Sequence, residues 1–229
     1  MKYPIDFIIC IDTSKDMINA VSTLKKRALQ FYPDLKEALS SAGKEVSQVR
    51  LKLILFGPQE NQTYLKESDW FCLSNSKGLD KEYFLAAISH IKCKDYFARS
   101  NGLEVLARAI KSDWVQVEGK CRQIIGIFTY HPAEKIENIK TKIVFHNDSL
   151  NSLEELTDLW MTPYNPQQTK NLISLKQSAK RLIIFSPEVY PWPEIYESWD
   201  QVVYNPLKAG TGWDDASYED LINAVVGSV

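Results

Sequence analysis

The residues best suited to chemistry in this chain stand together near its amino terminus. Two carboxylates, two hydroxyls and one ammonium group occupy five consecutive positions, in the order Asp12, Thr13, Ser14, Lys15 and Asp16. Carboxylate and hydroxyl oxygens are the hard ligands that Mg²⁺ takes in proteins. Two carboxylates held close together repel each other, and they invite either a cation or a shared proton. The segment is therefore a candidate metal site.

The same segment has a second interpretation that needs no metal. Asp16 would cap the helix that follows, Asp12 would accept hydrogen bonds from backbone N–H groups, and Lys15 would point into solvent or neutralise the two carboxylates. Because Lys15 brings a positive charge to the place where an ion would lie, we expect either no cofactor or a weakly bound Mg²⁺ or Mn²⁺.

The rest of the composition excludes several classes of protein. The 229 residues include 27 Lys and Arg against 29 Asp and Glu, without a basic run, which argues against a dedicated nucleic-acid-binding protein. The cysteines form no C-x-x-C pair, the histidines have no H-x-x-x-H spacing, and glycine-rich phosphate loops are absent, so zinc and nucleotide sites are not expected. Apolar stretches of the roughly 18 residues that a membrane span needs are missing. With no separate signal-peptide core, we expect a cytoplasmic protein.

The apolar pattern predicts a single α/β domain, because strand-like runs alternate with amphipathic helices. The predicted strands cover residues 5–11, 49–56, 70–73, 123–129, 182–185 and 202–204. The predicted helices cover residues 17–38 with a break at Pro33, 79–91, 101–114, 153–161, a short turn from Pro193, and 218–226. This order is typical of a doubly wound, mostly parallel sheet flanked by helices.

Ligands of such sheets bind beyond the carboxyl ends of the strands. The loops after residues 11, 128 and 185 and before residue 103 are therefore the candidate binding loops. The polar stretch of residues 130–151 is either a solvated loop or a partner-binding surface. Trp192 and Trp213, beside Pro191 and Gly212, are expected to be exposed, as aromatic anchors of an interface would be.

Several segments resemble the von Willebrand factor type A (vWA) domain, in its bacterial standalone branch. D-T-S-K-D at residues 12–16 is similar to the D-x-S-x-S motif of the metal-ion-dependent adhesion site. The other similar segments read I-D-F-I-I-C-I-D, N-G-L-E-V-L-A-R-A-I-K-S-D-W, I-I-G-I-F-T, L-E-E-L-T-D-L-W and K-R-L-I-I-F-S-P. The resemblance covers nearly all of residues 1–229 and implies one vWA-like, Rossmann-like domain.

The resemblance also implies a degenerate metal site made of Asp12, Ser14, Asp16 and Thr129. Asp12 and Ser14 match the first motif of the family, and Asp16 stands where a second hydroxyl is expected. The third motif normally ends its strand in Thr-Asp, whereas this chain continues from Thr129 into Tyr130.

Two positions of the family's site have only substitutes in this chain. Asp95 and Ser100 are the residues that could take the place of the second motif's Thr. The acid of the third motif is absent unless His131 or Glu134 folds back toward the site.

The function implied by the resemblance is that of a non-enzymatic protein–protein interaction module, which presents its strand-end face to a protein partner. The expected partner-binding residues are Lys15, Asn101, Tyr130 and His131. Bacterial proteins of this kind are often linked with kinases, phosphatases or ATPases in stress-response and conflict systems. Two alternatives remain: a Mg²⁺-dependent phosphotransfer or hydrolase enzyme with Asp12 as nucleophile, and a self-assembling structural subunit.

Overall fold

The apolar run near the amino terminus forms strand β1 (Tyr3–Asp12) in the computed structural model, and every residue of it except Pro4 is buried. Burial on both faces is typical of a central strand in a sheet that is covered by helices on either side. The structure describes residues 2–58, 65–74, 78–95, 99–136, 143–145, 148–162, 175–208 and 217–229, with the backbone alone for residues 143–149 of that set.

Eight further strands follow β1 within the described ranges. They are β2 (Val46–Phe56), β3 (Lys66–Glu67), β4 (Phe71–Cys72), β5 (Arg122–Phe128), β6 (Ile143–Phe145), β7 (Asp148–Leu150), β8 (Lys180–Pro187) and β9 (Val202–Leu207). A short 3₁₀ turn (Lys15–Met17) precedes the helices α1 (Ile18–Arg27), α2 (Phe31–Ser41), α3 (Leu79–Ser89), α4 (Gly102–Ile110), α5 (Leu153–Met161), α6 (Trp192–Ser198) and α7 (Tyr218–Ser228).

The main sheet is open and mostly parallel, and it has the strand order β3-β2-β1-β5-β8-β9. β4 also pairs with β2, and both β3 and β4 run antiparallel to it at that edge. β1 therefore lies between β2 and β5, with Ile11 opposite Leu55 on one side and Phe128 on the other. The carboxyl ends of these three strands meet at one edge of the sheet.

Helices cover both faces of the sheet, and each face has its own apolar core. Alternate residues of β1 enter the two cores, as the period of a strand requires: Phe7 and Ile9 on one face, Ile8 and Cys10 on the other. The first core receives α1, α2, α3 and α7, and the second receives α4, α5 and α6. The domain is thus a single α/β unit with a sheet between helices.

The predictions of an α/β class, of a mostly parallel sheet flanked by helices and of the long strands and helices agree with this architecture. The helix breaks before the predicted position at Pro33, because the chain leaves the helix at residues 28–30. Pro33 itself stands in the first turn of α2. Proline is tolerated there, since the N–H groups of a first turn have no partner within the helix. None of the helices described has the length and apolar character that a membrane span needs.

Two expectations need correction. Part of the stretch 130–151 is not loop, because β6 and β7 pair there as an antiparallel hairpin that begins with the β-branched residues Ile143 and Val144. Trp192 is fully buried rather than exposed, and Trp213 lies outside the described residues. The indole Nε1 of Trp192 donates to the backbone oxygen of His131 at 3.3 Å, and its ring fills the space beside Gly102, the first residue of α4.

The contact between Gly102 and Trp192 predicts a stability difference between two glycine substitutions. A Cβ at residue 102 would lie 2.7 Å from Cη2 of Trp192, so Gly102→Ala has to move a buried ring and should lower the free energy of unfolding by about 1–3 kcal/mol. Gly227 in α7 has no atom within 4 Å of a built Cβ. Gly227→Ala should leave the free energy unchanged or raise it by up to about 1 kcal/mol. Urea unfolding measures both, and equal effects would contradict the packing described.

Candidate functional site

The candidate site is the edge at which β1, β2 and β5 end, and we call it the strand-end face. It consists of residues 12–17 after β1, residues 92–95 after α3, residues 99–101 before α4, residues 129–136 after β5 and residues 186–190 at the end of β8. Backbone contacts hold these segments together: Ser14 forms a parallel bridge with Lys94, and Ser100 forms one with Ala133. The loops named as binding loops from the sequence therefore converge.

Asp12 occupies the centre of this face and is fully buried. Its Oδ1 accepts the backbone N–H of Ser14 at 2.9 Å, and its Oδ2 accepts the hydroxyl of Thr129 at 2.7 Å. The Thr129 oxygen in turn accepts the backbone N–H of His131 at 3.2 Å. Two of the predicted metal ligands, Asp12 and Thr129, are thus bonded to each other, and they tie the end of β1 to the end of β5.

Asp12 also has an electrostatic effect on its surroundings. Burial is the main cause that raises the pKa of the Cys93 thiol, Lys25 lowers it, and the negative charge of Asp12 raises it further. Cys93 is therefore a protonated thiol near neutral pH. The influence of Asp12 on it indicates that the carboxylate field extends into the segment that follows α3.

Asp16 does not cap a helix, which corrects one interpretation of the sequence. The residue at the amino end of the 3₁₀ turn is Ser14, and the one before α1 is Met17. The Asp16 side chain lies one-third exposed, with Oδ2 at 3.2 Å from Nε2 of His131. This contact places the imidazole of His131 beside the Asp16 carboxylate. His131 is thus the residue after β5 that folds back toward the first loop.

Lys15 turns away from the two carboxylates beside it. Its ammonium group lies 3.4 Å from Oδ2 of Asp95, and both side chains are more than half exposed. A pair so open to water is worth at most about 1 kcal/mol. Lys15 therefore neutralises neither Asp12 nor Asp16, and its amine is available to solvent.

The segment before α4 is fixed by backbone hydrogen bonds on two sides. Asn101 donates its N–H to the oxygen of Gly57, just past β2, at 3.1 Å. Ser100 donates its N–H to the oxygen of Pro132 at 3.1 Å and accepts the N–H of Glu134 at 2.8 Å. Ser100 and Asn101 are consequently held between the end of β2 and the segment after β5, and both are buried.

Three side chains of this face are buried without a hydrogen-bond partner in the part of the chain that the structure describes. They are the hydroxyl of Ser14, the hydroxyl of Ser100 and both amide atoms of Asn101. Asn101 begins α4, yet its side chain makes no capping bond. Because a buried polar group without a partner costs about 1–3 kcal/mol, such a group indicates a water or ligand that completes the site.

The four expected partner-binding residues therefore differ in accessibility. Lys15 is exposed and Tyr130 is half-buried, with its hydroxyl donating to the oxygen of Lys208 at 2.7 Å. Asn101 and His131 are buried, so a partner reaches them only by placing a group into the face. The sequence left open whether His131 or Glu134 folds back toward the site, and the structure brings His131 to Asp16.

The arrangement does not fit a resident Mg²⁺ or Mn²⁺. Both oxygens of Asp12 already accept hydrogen bonds, and Asp16 lies against His131, which an ion would have to displace. The groups without a hydrogen-bond partner among the described residues are hydroxyls and an amide, which can ligate an ion but do not offset its charge. Among the described residues there is also no group of three or more His, Cys, Asp or Glu side chains able to hold a metal ion.

Comparison with known proteins identifies no family. No family model matches this chain, and no curated protein matches it. Solved structures that are similar include the pilus adhesin SpaC of Lactobacillus rhamnosus GG in its open conformation, at 11% identity and a TM-score of 0.47, over 98% of this chain and 29% of that one. Proximal thread matrix protein 1 (PTMP1) of the mussel byssus matches at 13% identity and a TM-score of 0.41, over 89% of this chain and 44% of that one. This chain spans less than half the length of either protein.

The Thr129–Asp12 bond predicts the effect of removing one hydroxyl. Thr129→Val keeps the side-chain shape but leaves a buried carboxylate without one donor, so the free energy of unfolding should fall by about 2–3 kcal/mol. The control is Thr13→Val, since the Thr13 hydroxyl donates at 2.8 Å to a neutral acceptor, the backbone oxygen of Phe56. That change should cost only about 1 kcal/mol. If denaturant unfolding showed equal losses of unfolding free energy for the two variants, the Thr129 hydroxyl would not stabilise the Asp12 charge.

Proposed function

We propose that this chain is a non-enzymatic, vWA-type protein-binding module that receives a protein partner on its strand-end face. The observation that carries the proposal is the set of buried polar groups at Ser14, Ser100 and Asn101, which have no hydrogen-bond partner in the described part of the chain. Ser14 follows β1, while Ser100 and Asn101 are held between the end of β2 and the segment after β5, at the edge where open α/β sheets bind ligands. A partner that inserts a polar group there would supply the missing hydrogen bonds.

The doubly wound arrangement of the vWA family belongs to the same proposal. It is supported by the strand order, which reverses at β1, and by the two helix layers. The first loop also agrees with the resemblance, because Asp12, Ser14 and Asp16 all lie on the strand-end face. The proposal extends, on the resemblance alone, to a role beside kinases, phosphatases or ATPases in bacterial stress-response or conflict systems.

The enzymatic alternative has less support. A nucleophilic carboxylate needs an oxygen that can reach the substrate, whereas Asp12 is fully buried and both of its oxygens accept hydrogen bonds. The Asp16 side chain, which is the more accessible of the two, lies against His131. These contacts favour a binding role for the loop over phosphotransfer.

A photo-crosslinking experiment tests the proposed face. Benzoylphenylalanine placed at Lys15 or at Lys135, both exposed on the face, should crosslink a partner protein in cells of the source organism. The matched control is the same residue at Lys36, which is exposed on α2, the helix that leads toward the opposite end of the sheet. Position 36 should give no crosslink to that partner.

The crosslinked species decides between the alternatives. A second copy of this chain at positions 15 and 135 would favour the self-assembling subunit. Equal crosslinking from all three positions, or none from the face while the protein remains folded by circular dichroism, would contradict the proposed binding site.

A further inference from the structure

Cations accumulate at the opposite end of the sheet, where the parallel strands begin, and we call this end the strand-start face. It consists of residues 2–3, 42–46, 111–122, 175–181, 199–201 and 226–229. These segments carry eight Lys and Arg side chains against four carboxylate side chains, which are those of Glu45, Asp113, Glu118 and Asp200. Because the chain as a whole has a net charge of −2, the excess of positive charge is local to this end.

Two of these cations meet at the last turn of α7. The ammonium group of Lys44 donates to the backbone oxygen of Val226. The guanidinium Nε of Arg122 donates to the backbone oxygen of Val229 at 3.1 Å. Since Val229 donates its own N–H to the oxygen of Val226 at 3.2 Å, both acceptors belong to a single turn. Lys44 and Arg122 are therefore held close together.

A third cation, Lys120, lies beside them at the start of β1. Its Nζ is 3.8 Å from the centroid of the Tyr3 ring, and it stands two residues before Arg122, which pairs with Ile5 in the sheet. Tyr3 is only 4% exposed, and its hydroxyl has no hydrogen-bond partner among the described residues. A buried hydroxyl of this kind indicates that a water or a ligand completes this corner of the molecule.

The three cations repel one another, and the carboxylates nearby do not pair with them. Burial is the main cause that lowers the pKa of Lys44, and the charges of Lys120 and Arg122 lower it further. Within the described ranges, none of the three forms an ion pair with a carboxylate, whereas Asp200 pairs with Lys180 at 2.8 Å. Like charges held together in this way favour the binding of an anion.

The end of α7 compensates only part of this charge. The carboxyl end of a helix carries about half of a negative charge, whereas the three side chains carry three full positive charges. Among the described residues, the hydrogen bonds of Lys44 use one of the three N–H groups of its ammonium. Arg122 donates from Nε and, at 3.0 Å, from Nη1 to the oxygen of Cys121. These bonds position the two cations and leave further donors for a ligand.

We infer that the strand-start face binds a phosphate group, which Lys44, Lys120 and Arg122 surround and to which the Tyr3 hydroxyl donates. A phosphate monoester carries a charge of about −1.5 to −2 near neutral pH and three acceptor oxygens, so it matches several cations better than a single carboxylate does. Inorganic phosphate and a phosphorylated serine both present this group. The site lies at the opposite end of the sheet from the strand-end face and does not depend on the function proposed for that face.

The probe for this site is a fluorescein-labelled peptide of Gly and Ser that carries one phosphoserine, with the unphosphorylated peptide as control. Fluorescence anisotropy should detect binding of the phosphorylated peptide alone. Lys120→Gln removes one exposed charge and should weaken this binding by about fivefold to tenfold. The matched control is Lys92→Gln, which removes an exposed lysine of the strand-end face and should change the affinity little. Circular dichroism melting verifies that both variants fold.

Two conservative variants separate charge from packing. Lys120→Arg keeps the positive charge above the Tyr3 ring and should retain most of the affinity. Tyr3→Phe keeps that ring and removes only the hydroxyl, so it should weaken binding by about twofold to fivefold.

Inorganic phosphate, added as a competitor at matched ionic strength, identifies the source of the phosphate group. Displacement of the labelled peptide at concentrations no higher than those of the unlabelled phosphopeptide would show that the free anion is sufficient. A requirement for at least about ten times more inorganic phosphate would show that the site also recognises the peptide.

Three results would overturn the inference. One is equal binding of the phosphorylated and unphosphorylated peptides. Another is equal weakening by Lys120→Gln and Lys92→Gln, which would mean that the overall charge of the chain, rather than the strand-start face, determines the affinity. The third is the absence of binding both for the phosphopeptide and for inorganic phosphate, measured by titration calorimetry on the folded protein.

Discussion

The hydrogen bond from Thr129 to Asp12 is the interaction on which the strand-end face depends. It joins the ends of two central parallel strands, and it gives a donor to a carboxylate that has no access to water. A buried charge without such partners would cost several kcal/mol. The Thr129 hydroxyl oxygen also accepts the N–H of His131. The same side chain therefore orients the segment after β5 and brings His131 toward Asp16.

From this bond the electrostatics of the face follow. The Asp12 carboxylate accepts hydrogen bonds from the backbone of its own loop and from Thr129, just after β5. The Asp16 carboxylate contacts an imidazole, and the Asp95 carboxylate pairs with Lys15. Each of these carboxylates thus contacts groups of the chain itself. The side-chain groups that have no hydrogen-bond partner within the described residues are neutral and buried, and they belong to Ser14, Ser100 and Asn101.

Much of the fold was accessible from the sequence, because apolar periodicity determines which strands lie inside a sheet. The burial of β1 and the amphipathic pattern of α4 are direct consequences of that periodicity. The hairpin of β6 and β7 was missed since two strands of three residues carry too little pattern. Trp192 was misjudged because its burial depends on Gly102, ninety residues earlier, which no local pattern reveals.

The residues of the candidate site could be predicted from the sequence, but the contacts between their side chains could not. Asp12, Ser14, Asp16 and Thr129 all lie on the strand-end face, because strand ends in a parallel sheet share one edge. Which carboxylate meets which donor depends on side-chain directions over more than one hundred residues of separation, as in the pairs Asp12–Thr129 and Asp16–His131. Residue spacing alone likewise could not predict that the Lys15 side chain points toward Asp95.

The central claim, that the chain balances the charges of this face without an ion, is tested most directly by thermal unfolding in EDTA and then in millimolar Mg²⁺ or Mn²⁺. An ion present at 100 times its dissociation constant would add about 2.7 kcal/mol to the free energy of unfolding. At roughly 2–4 °C per kcal/mol, the midpoint of a chain of this size would rise by several degrees. We predict no shift beyond that of a matched ionic strength of NaCl. A rise of several degrees that Asp12→Ala abolishes would contradict the account.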